Sequence, residues 1–388
     1  MAVTTNGTTT NGSSNGNGHV KTAKLKVAIL GCGRMGQRHA HNIFHLTPRA
    51  SLVAVADPSP AAKTWVQENL DGVQYFEDPE LVFDLPGLDA VIISTITSTH
   101  APLTIKAVEK GLHVLLEKPI SIDVEDSRPV LAVADSRPDL KVMIGFVRRF
   151  DTAFKQLHTH LSSTVAGQPF LLKSTTQDAY DRSGFFVAYA KASGGIFMDC
   201  GIHDIDMSRW LLGVGQPAKN SKNGLSQSSQ PPVPSGKQVN RVYATGLTVR
   251  HPELHQQDDC DNALGVIEYA NGSSCTLHLS RTGMGGYESL VEVFGTEQKL
   301  VVETPASSHV KVTDGHGRRV ESAPTYIERF GEAFIHEVNA FVDCCLDDKP
   351  VPTSVADAFQ AALIAKALTQ SFRTGKPVDF GDDGEPIL

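Results

Sequence analysis

The chain has 388 residues, 40% of them hydrophobic and 20% charged, which is length enough for two domains with cores of their own. Its formal net charge of -8, with no basic run, argues against a partner with a nucleic-acid backbone. No apolar run reaches the roughly 18 residues of a membrane span, the N-terminus lacks the charged-then-apolar order of a signal peptide, and six cysteines without a C-x-x-C pair read as reduced thiols, with neither disulfide frame nor metal site.

These features predict a cytoplasmic protein whose partners include neither nucleic acid nor membrane. Residues 1–23 are mostly Asn, Gly, Thr and Ser, too polar to offset chain entropy by burial, and are expected to form a disordered tail.

The first element is an apolar run of strand type, LKVAIL, at residues 25–30. It feeds into Gly31-Cys32-Gly33-Arg34-Met35-Gly36, and a helical stretch follows. A second apolar strand then ends in Asp57. A lone G-x-G-x-x-G is weak evidence, but strand before, helix after and an acid closing the next strand together describe a dinucleotide turn. The glycines allow a pyrophosphate to approach the helix N-terminus, with Arg34 and Met35 inside the same turn. Asp57 would accept hydrogen bonds from the ribose hydroxyls and repel a 2'-phosphate. NAD is therefore favoured over NADP, although Lys63 lies nearby.

Strands and helices continue to alternate: a short strand at 73–76, a buried one at 90–95, a helix at 101–110 and a strand at 112–116. The pattern predicts an α/β fold, a doubly wound Rossmann sheet of parallel strands over residues 24–146. Ligands on such sheets bind at the carboxyl ends of the strands, which places Ser94, Thr95 and His100 beside the cofactor. A plain helix-start role for His100 stands beside that reading. Glu117-Lys118-Pro119 follows the fifth strand. A lysine there would be partly desolvated, which lowers its pKa and suits it to polarising a substrate oxygen.

Ser193 to Trp210, SGGIFMDCGIHDIDMSRW, holds an acid and an imidazole. Asp199 and His203 are four residues apart, with Asp206 three further on, spacings that predict one helical face. A carboxylate beside an imidazole is suited to proton transfer. A buried, hydrogen-bonded histidine among ordinary acids is the plainer alternative.

GCGRMG, EKP and GG-x-x-x-D-x-x-x-H together resemble the Gfo/Idh/MocA family of nicotinamide-dependent oxidoreductases, from Val27 to about Phe380, and within it the myo-inositol 2-dehydrogenase branch. GFVRRFD at 145–151 and GYESLVEVFG at 286–295 resemble that branch as well. The resemblance implies a C-terminal α+β domain over 147–388 with an open, mainly antiparallel sheet used in homo-oligomer contacts, a dimer or tetramer. It implies Lys118, Asp199 and His203 as the catalytic set, with Glu117 and Lys118 also at the cofactor and the Lys118-Pro119 bond cis. It places Arg148, Asp178, Tyr287 and Cys200 with the catalytic residues around a polyol, although Arg148 or Arg149 also reads as a surface charge and Asp178 as a turn cap. No metal is required. The branch favours Arg-Asp-Pro around Asp178 and Asp-Gln-Arg after Tyr287. This chain has Gln177-Asp178-Ala179 and Glu288-Ser289-Leu290, departures expected to fall in the substrate pocket.

The second half carries strand-like stretches separated by turns, among them Asn271-Gly272, a hairpin signal. Residues 213–239 are a polar, proline-containing insertion that predicts a mobile loop. Phe330, Phe334, Val338 and Phe341 recur at helical spacing and predict a core-facing helix, and residues 357–372 repeat the pattern. The function expected is hydride transfer between a secondary alcohol of an inositol-like polyol or sugar and NAD. His203 takes the hydroxyl proton, Asp199 stabilises the imidazolium and Lys118 the alkoxide. Reduction of a ketone, aldehyde or imine by NAD(P)H is the rival within enzymes. A non-catalytic nicotinamide-sensing regulator is disfavoured by the presence of both Lys118 and His203.

Overall fold

The computed structural model describes residues 24–215, 236–308 and 310–388. The predicted tail at 1–23 and residues 216–235 of the predicted insertion lie outside the described residues.

The apolar runs of the first half become β1 (Leu25–Leu30), β2 (Ala50–Ala56), β3 (Gln74–Phe76), β4 (Ala90–Ile93), β5 (His113–Leu116) and β6 (Val142–Ile144). They alternate with α1 (Arg34–Leu46), α2 (Pro60–Asn69), α3 (His100–Glu109) and α4 (Val124–Ser136). All six strands are parallel, in the order β3-β2-β1-β4-β5-β6. β4 is buried throughout and β1 at every position but Lys26, which explains why these strands read as nearly unbroken apolar runs, since helices cover both faces. The order reverses between β1 and β4, which opens a crevice beyond their carboxyl ends.

The chain then passes through α5 (Thr152–Ser162), β7 (Pro169–Ala179), α6 (Phe185–Ser193), α7 (Ile196–Asp199) and α8 (Ile202–Leu211). Next come β8 (Val239–Leu247), β9 (Asn262–Tyr269), β10 (Ser274–Gly283), β11 (Glu288–Gly295) and β12 (Lys299–Val302). A small hairpin, β13 (Val312–Asp314) with β14 (Gly317–Arg319), precedes α9 (Tyr326–Arg329), α10 (Gly331–Leu346), α11 (Val355–Thr374) and β15 (Val378–Asp379). The second sheet has the order β12-β11-β7-β10-β9-β8-β15, and only its β7–β10 pair is parallel. The expected open, mainly antiparallel sheet is thus present, with Asn271-Gly272 turning β9 into β10.

Period-two alternation decides which face of this sheet is covered. In β9, Ala263, Ile267 and Tyr269 are buried while Leu264 and Val266 are exposed. On the covered side α11 packs against β8, α7 and α8, and it also reaches α4 and β6 of the first sheet. Phe330, Phe334, Val338 and Phe341 are all buried, and α10 lies against α1. α11 therefore ties the two sheets together, and Lys118, just beyond β5, reaches Asp199 of α7.

Candidate active site

At the switch point Gly31 adopts φ +87, and a Cβ there would sit 2.6 Å from the Ser94 main-chain oxygen. A Cβ on Gly36 would sit 1.9 Å from Gly31 O. Both positions demand glycine for packing of turn against helix and strand. Gly33 differs, because a Cβ there would meet nothing within 4 Å, and no side chain caps the start of α1. The first N–H groups of α1, uncapped by a side chain, and the positive end of the helix dipole fit a pyrophosphate. Asp57 follows β2 beside them. Its Oδ2 accepts from Cys32 N at 2.7 Å and its Oδ1 from Ser59 N at 2.8 Å, which fixes the carboxylate beside the glycine turn.

Ser94 Oγ donates to Gly31 O at 2.9 Å and so braces the phosphate turn. Thr95 accepts from the Thr99 hydroxyl at 2.7 Å. His100 starts α3 and is buried beneath this loop, with Nδ1 2.8 Å from Pro119 O and Nε2 3.1 Å from Thr95 O. Burial lowers its proton affinity. It clasps together the loops that follow β4 and β5. Arg34 and Met35 meet Tyr326, whose ring lies 5.4 Å from the Arg34 guanidinium carbon and whose hydroxyl lies 3.7 Å from Met35 Sδ.

The Lys118-Pro119 bond is cis, as the resemblance implied. Lys118 Nζ crosses the cleft and donates to Asp199 O at 2.8 Å and to Asp199 Oδ1 at 3.3 Å. The lysine's proton affinity corrects the expectation from desolvation. Burial does favour the neutral amine, yet the Asp199 and Glu117 carboxylates outweigh it and hold the pKa above the usual lysine value.

Glu117 is itself buried and takes a hydrogen bond from His39 Nε2 at 2.7 Å. Burial raises the cost of its charge, but His39 and Lys118 hold its pKa below the usual range. Glu337 of α10 completes this group, with its ligand-type atoms and those of His39 and Glu117 all within 4.8 Å of one another. Both Glu337 oxygens lack a hydrogen-bond partner. Burial and the Glu117 charge push its carboxyl well above the usual range.

Asp199 and His203 do not share one helical face. Asp199 ends α7, Cys200 and Gly201 intervene, and His203 lies in the first turn of α8. A Cβ on Gly201 would come 2.8 Å from Leu279 Cδ1 of β10, so the break lets the backbone press against the sheet. Asp206, which the spacing placed on the same face, turns away to form a two-pronged buried pair with Arg149, at 2.6 and 2.9 Å.

The Asp199 carboxylate is held on its second oxygen by Arg281 Nη2 at 2.7 Å. Burial opposes its charge, yet Lys118 and Arg281 keep its pKa well below the usual carboxylate range. His203 Nδ1 is buried without a hydrogen-bond partner. Burial, Lys118 and Arg148 push the imidazole well below its ordinary pKa against the pull of Asp199, so the ring is neutral.

Arg148 is buried rather than a surface charge. It donates to Asp204 at 3.1 Å, to Thr176 at 3.0 Å and to the Tyr287 hydroxyl at 3.0 Å. Asp178 stands 3.9 Å from Arg281, its carboxyl pushed up by burial. Burial likewise raises the Cys200 thiol, with Asp178, Asp204 and Asp199 nearby. The structure therefore brings Lys118, Arg148, Asp178, Asp199, Cys200, His203 and Tyr287 into one cluster.

Sequence reasoning passed over Arg281, Tyr326 and Asp204. Two of them left a signal. Cys275, Leu277, Leu279 and Arg281 alternate along the buried face of β10, and Tyr326, Phe330 and Phe334 recur at spacings of four. The departures around Asp178 and Tyr287 also fall elsewhere than expected. Gln177 Nε2 donates to Glu288 Oε2 at 2.6 Å, and the two are cross-strand partners in the β7–β11 register. Alternation puts them, with Ala179 and Leu290, on the outer face of the sheet, opposite Thr176 and Tyr287; Ser289 alone turns inward, and it is buried.

A dinucleotide crevice facing a lysine, an aspartate and a histidine defines a nicotinamide-dependent oxidoreductase. Comparison with known proteins makes this specific. Residues 25–146 match the NAD-binding Rossmann domain of the Gfo/Idh/MocA oxidoreductases and residues 176–380 match their C-terminal alpha/beta domain, and the chain belongs to that family. It is 34% identical over 360 residues to scyllo-inositol 2-dehydrogenase (NAD(+)) of Bacillus subtilis, covering 92% of this chain and 96% of that protein. It is 27% identical to myo-inositol 2-dehydrogenase of Thermotoga maritima, with 91% and 98% covered. The crystal structure of scyllo-inositol dehydrogenase from Lactobacillus casei with bound NAD(H) and scyllo-inositol superposes with a TM-score of 0.82 at 29% identity, covering 92% of this chain and 99% of that one. Among the described residues no helix is long and apolar enough to cross a membrane.

Proposed function

We propose that this protein is an NAD-dependent dehydrogenase of an inositol-like polyol, oxidising one secondary alcohol to a ketone in the cytoplasm. The observation that carries the reading is the convergence of Lys118 Nζ on Asp199, with the neutral His203 beside them, at the carboxyl end of β5. Residues 24–146 hold NAD and residues 147–388 supply the substrate side. When bound, NAD accepts the hydride from the alcohol carbon.

His203 takes the hydroxyl proton, a task suited to an imidazole that is a free base at neutral pH. Lys118 stays charged and donates to the oxygen as its negative charge grows. Asp199 holds that ammonium in place. Arg148 fixes the Tyr287 hydroxyl, and with Asp178 and Cys200 they offer polar contacts to the remaining hydroxyls. Run in reverse, the same groups reduce the ketone.

The outer face of the second sheet supports the homo-oligomer reading, because Tyr243, Leu247, Leu264 and Val266 are exposed on adjacent strands. A dimer or tetramer in sedimentation fits that role, and a monomer rejects it.

The reaction is tested by NADH formation from NAD across scyllo- and myo-inositol and a set of aldoses, with the reverse assay on the corresponding ketones. Turnover of an inositol is expected, with a His203→Ala loss of about 10² to 10⁴ in kcat and little change in NAD binding. Full activity in His203→Ala would remove the histidine from the mechanism.

A further inference from the structure

We propose that Arg281 is a positioning residue for proton transfer: by holding the second oxygen of Asp199, it commits that carboxylate to the cations on either side and leaves His203 to meet the substrate as a free base. The inference rests on the dehydrogenase reading above, and it assigns a residue that neither the motifs nor the resemblance singled out.

The geometry is a three-member chain across the cleft. Lys118 occupies Asp199 Oδ1 and the Asp199 main-chain oxygen, and Arg281 Nη2 occupies Oδ2 at 2.7 Å. Arg281 sits on β10, reaches the site from the covered face of the sheet and is only 7% exposed, so its charge is poorly screened by water. Its Nε has no hydrogen-bond partner, which leaves the Asp199 contact as its principal anchor, with Asp178 further off at 3.9 Å.

A carboxylate beside a histidine ordinarily raises the proton affinity of the ring. Here one carboxylate stands between two cations, so the Lys118, Asp199 and Arg281 group carries a net single positive charge toward His203. The remaining charged neighbour of the ring is Arg148, from the turn after β6, and its charge is matched by Asp204 of α8. Asp178 of β7 belongs to the Arg281 side of the cluster. Remove Arg281, and Asp199 has an oxygen free to stabilise an imidazolium.

The consequence is chemical. When the alcohol is oxidised, its O–H proton passes to the imidazole as the C–H electron pair leaves with the hydride. A ring already protonated cannot accept that proton. Arg281 therefore keeps the base available down to a lower pH, although it never touches the reacting atoms itself.

The test reads the protonation of His203 directly and does not depend on knowing the substrate. Carbethoxylation of neutral histidine by diethylpyrocarbonate is followed at the His203 peptide by mass spectrometry as a function of pH, in the full chain. Arg281→Met is expected to raise the midpoint for His203 by about one to two pH units. Arg281→Lys, which keeps the charge, is expected to bring it most of the way back. In the Asp199→Asn background most of the Arg281→Met shift is expected to vanish, because the effect runs through the carboxylate.

Should Arg281→Met fail to fold, Arg281→Gln, a neutral donor of similar reach, is expected to shift the midpoint in the same direction. An unmoved midpoint in the folded neutral variant, or an equal shift with and without the Asp199 charge, overturns the proposal. If inositols are not turned over and the His203 midpoint still moves as described, the substrate reading fails and the Arg281 inference stands.

Discussion

Lys118 Nζ donates to both the main-chain oxygen and the carboxylate of Asp199, reaching from the end of a parallel strand to the short helix α7 across the cleft. In the proposed mechanism this contact holds the ammonium for the reacting oxygen rather than for the phosphate turn. Lys118→Met is therefore expected to lower kcat by about 10² to 10⁴ while the dissociation constant of NAD changes only a few-fold. Initial rates together with calorimetry of NAD binding check both halves. A parallel loss of NAD affinity would place the lysine's main work at the cofactor.

Asp57, whose two oxygens are fixed by the amides of Cys32 and Ser59, is the residue proposed to set coenzyme preference. That fixed negative charge is complementary to two ribose hydroxyls and hostile to a phosphate. Asp57→Ser should reduce kcat/KM with NAD by about 10- to 100-fold, the worth of hydrogen bonds to a charged group. The same change should raise kcat/KM with NADP. An unchanged ratio between the two coenzymes would show that selection lies elsewhere, with Lys63 the first residue to examine.

These two residues were legible because their signals are local. Gly31, Gly33, Gly36 and Asp57 lie in one strand-turn-helix-strand unit, and Lys118 follows the next strand but two. What the chain alone did not disclose depends on contacts distant in sequence. The Lys118 charge is set by Asp199, 81 positions away, which reverses the sign expected from burial alone. The D-x-x-x-H spacing suggested one helix, but Gly201 breaks it where the backbone presses on Leu279. Gln177 and Glu288 read as pocket changes until the β7–β11 register pairs them on the outer face. Arg281 was readable in the alternation of β10 and was missed because a charged residue on a buried face has no local motif.

The Arg148 group makes a stability prediction. Asp204 is fully buried and accepts from Arg148, Ser174 and Thr176. Asp204→Ala would leave the guanidinium buried without its counter-charge, at a cost of about 3 to 5 kcal/mol in urea unfolding. Asp204→Asn keeps a partner for the hydroxyls and should cost less. Because Arg148 also holds the Tyr287 hydroxyl, the alanine variant should raise KM for the polyol more than it alters NAD binding.

Glu337 predicts a dependence of stability on pH. Its side chain is fully buried, its oxygens have no partners, and burial together with the Glu117 charge raises its pKa well above 4.5. Between 4.5 and the folded value the native state keeps a proton that the unfolded chain releases. The native state then binds more protons, so this group makes stability fall as pH rises through that window. Glu337→Gln does not titrate and fills the same space. Relative to the parent protein it should therefore gain stability as pH climbs from 5 to 7. Urea unfolding of both proteins at the two pH values measures the difference. A gap that stays constant would mean that Glu337 is ionised in the folded protein.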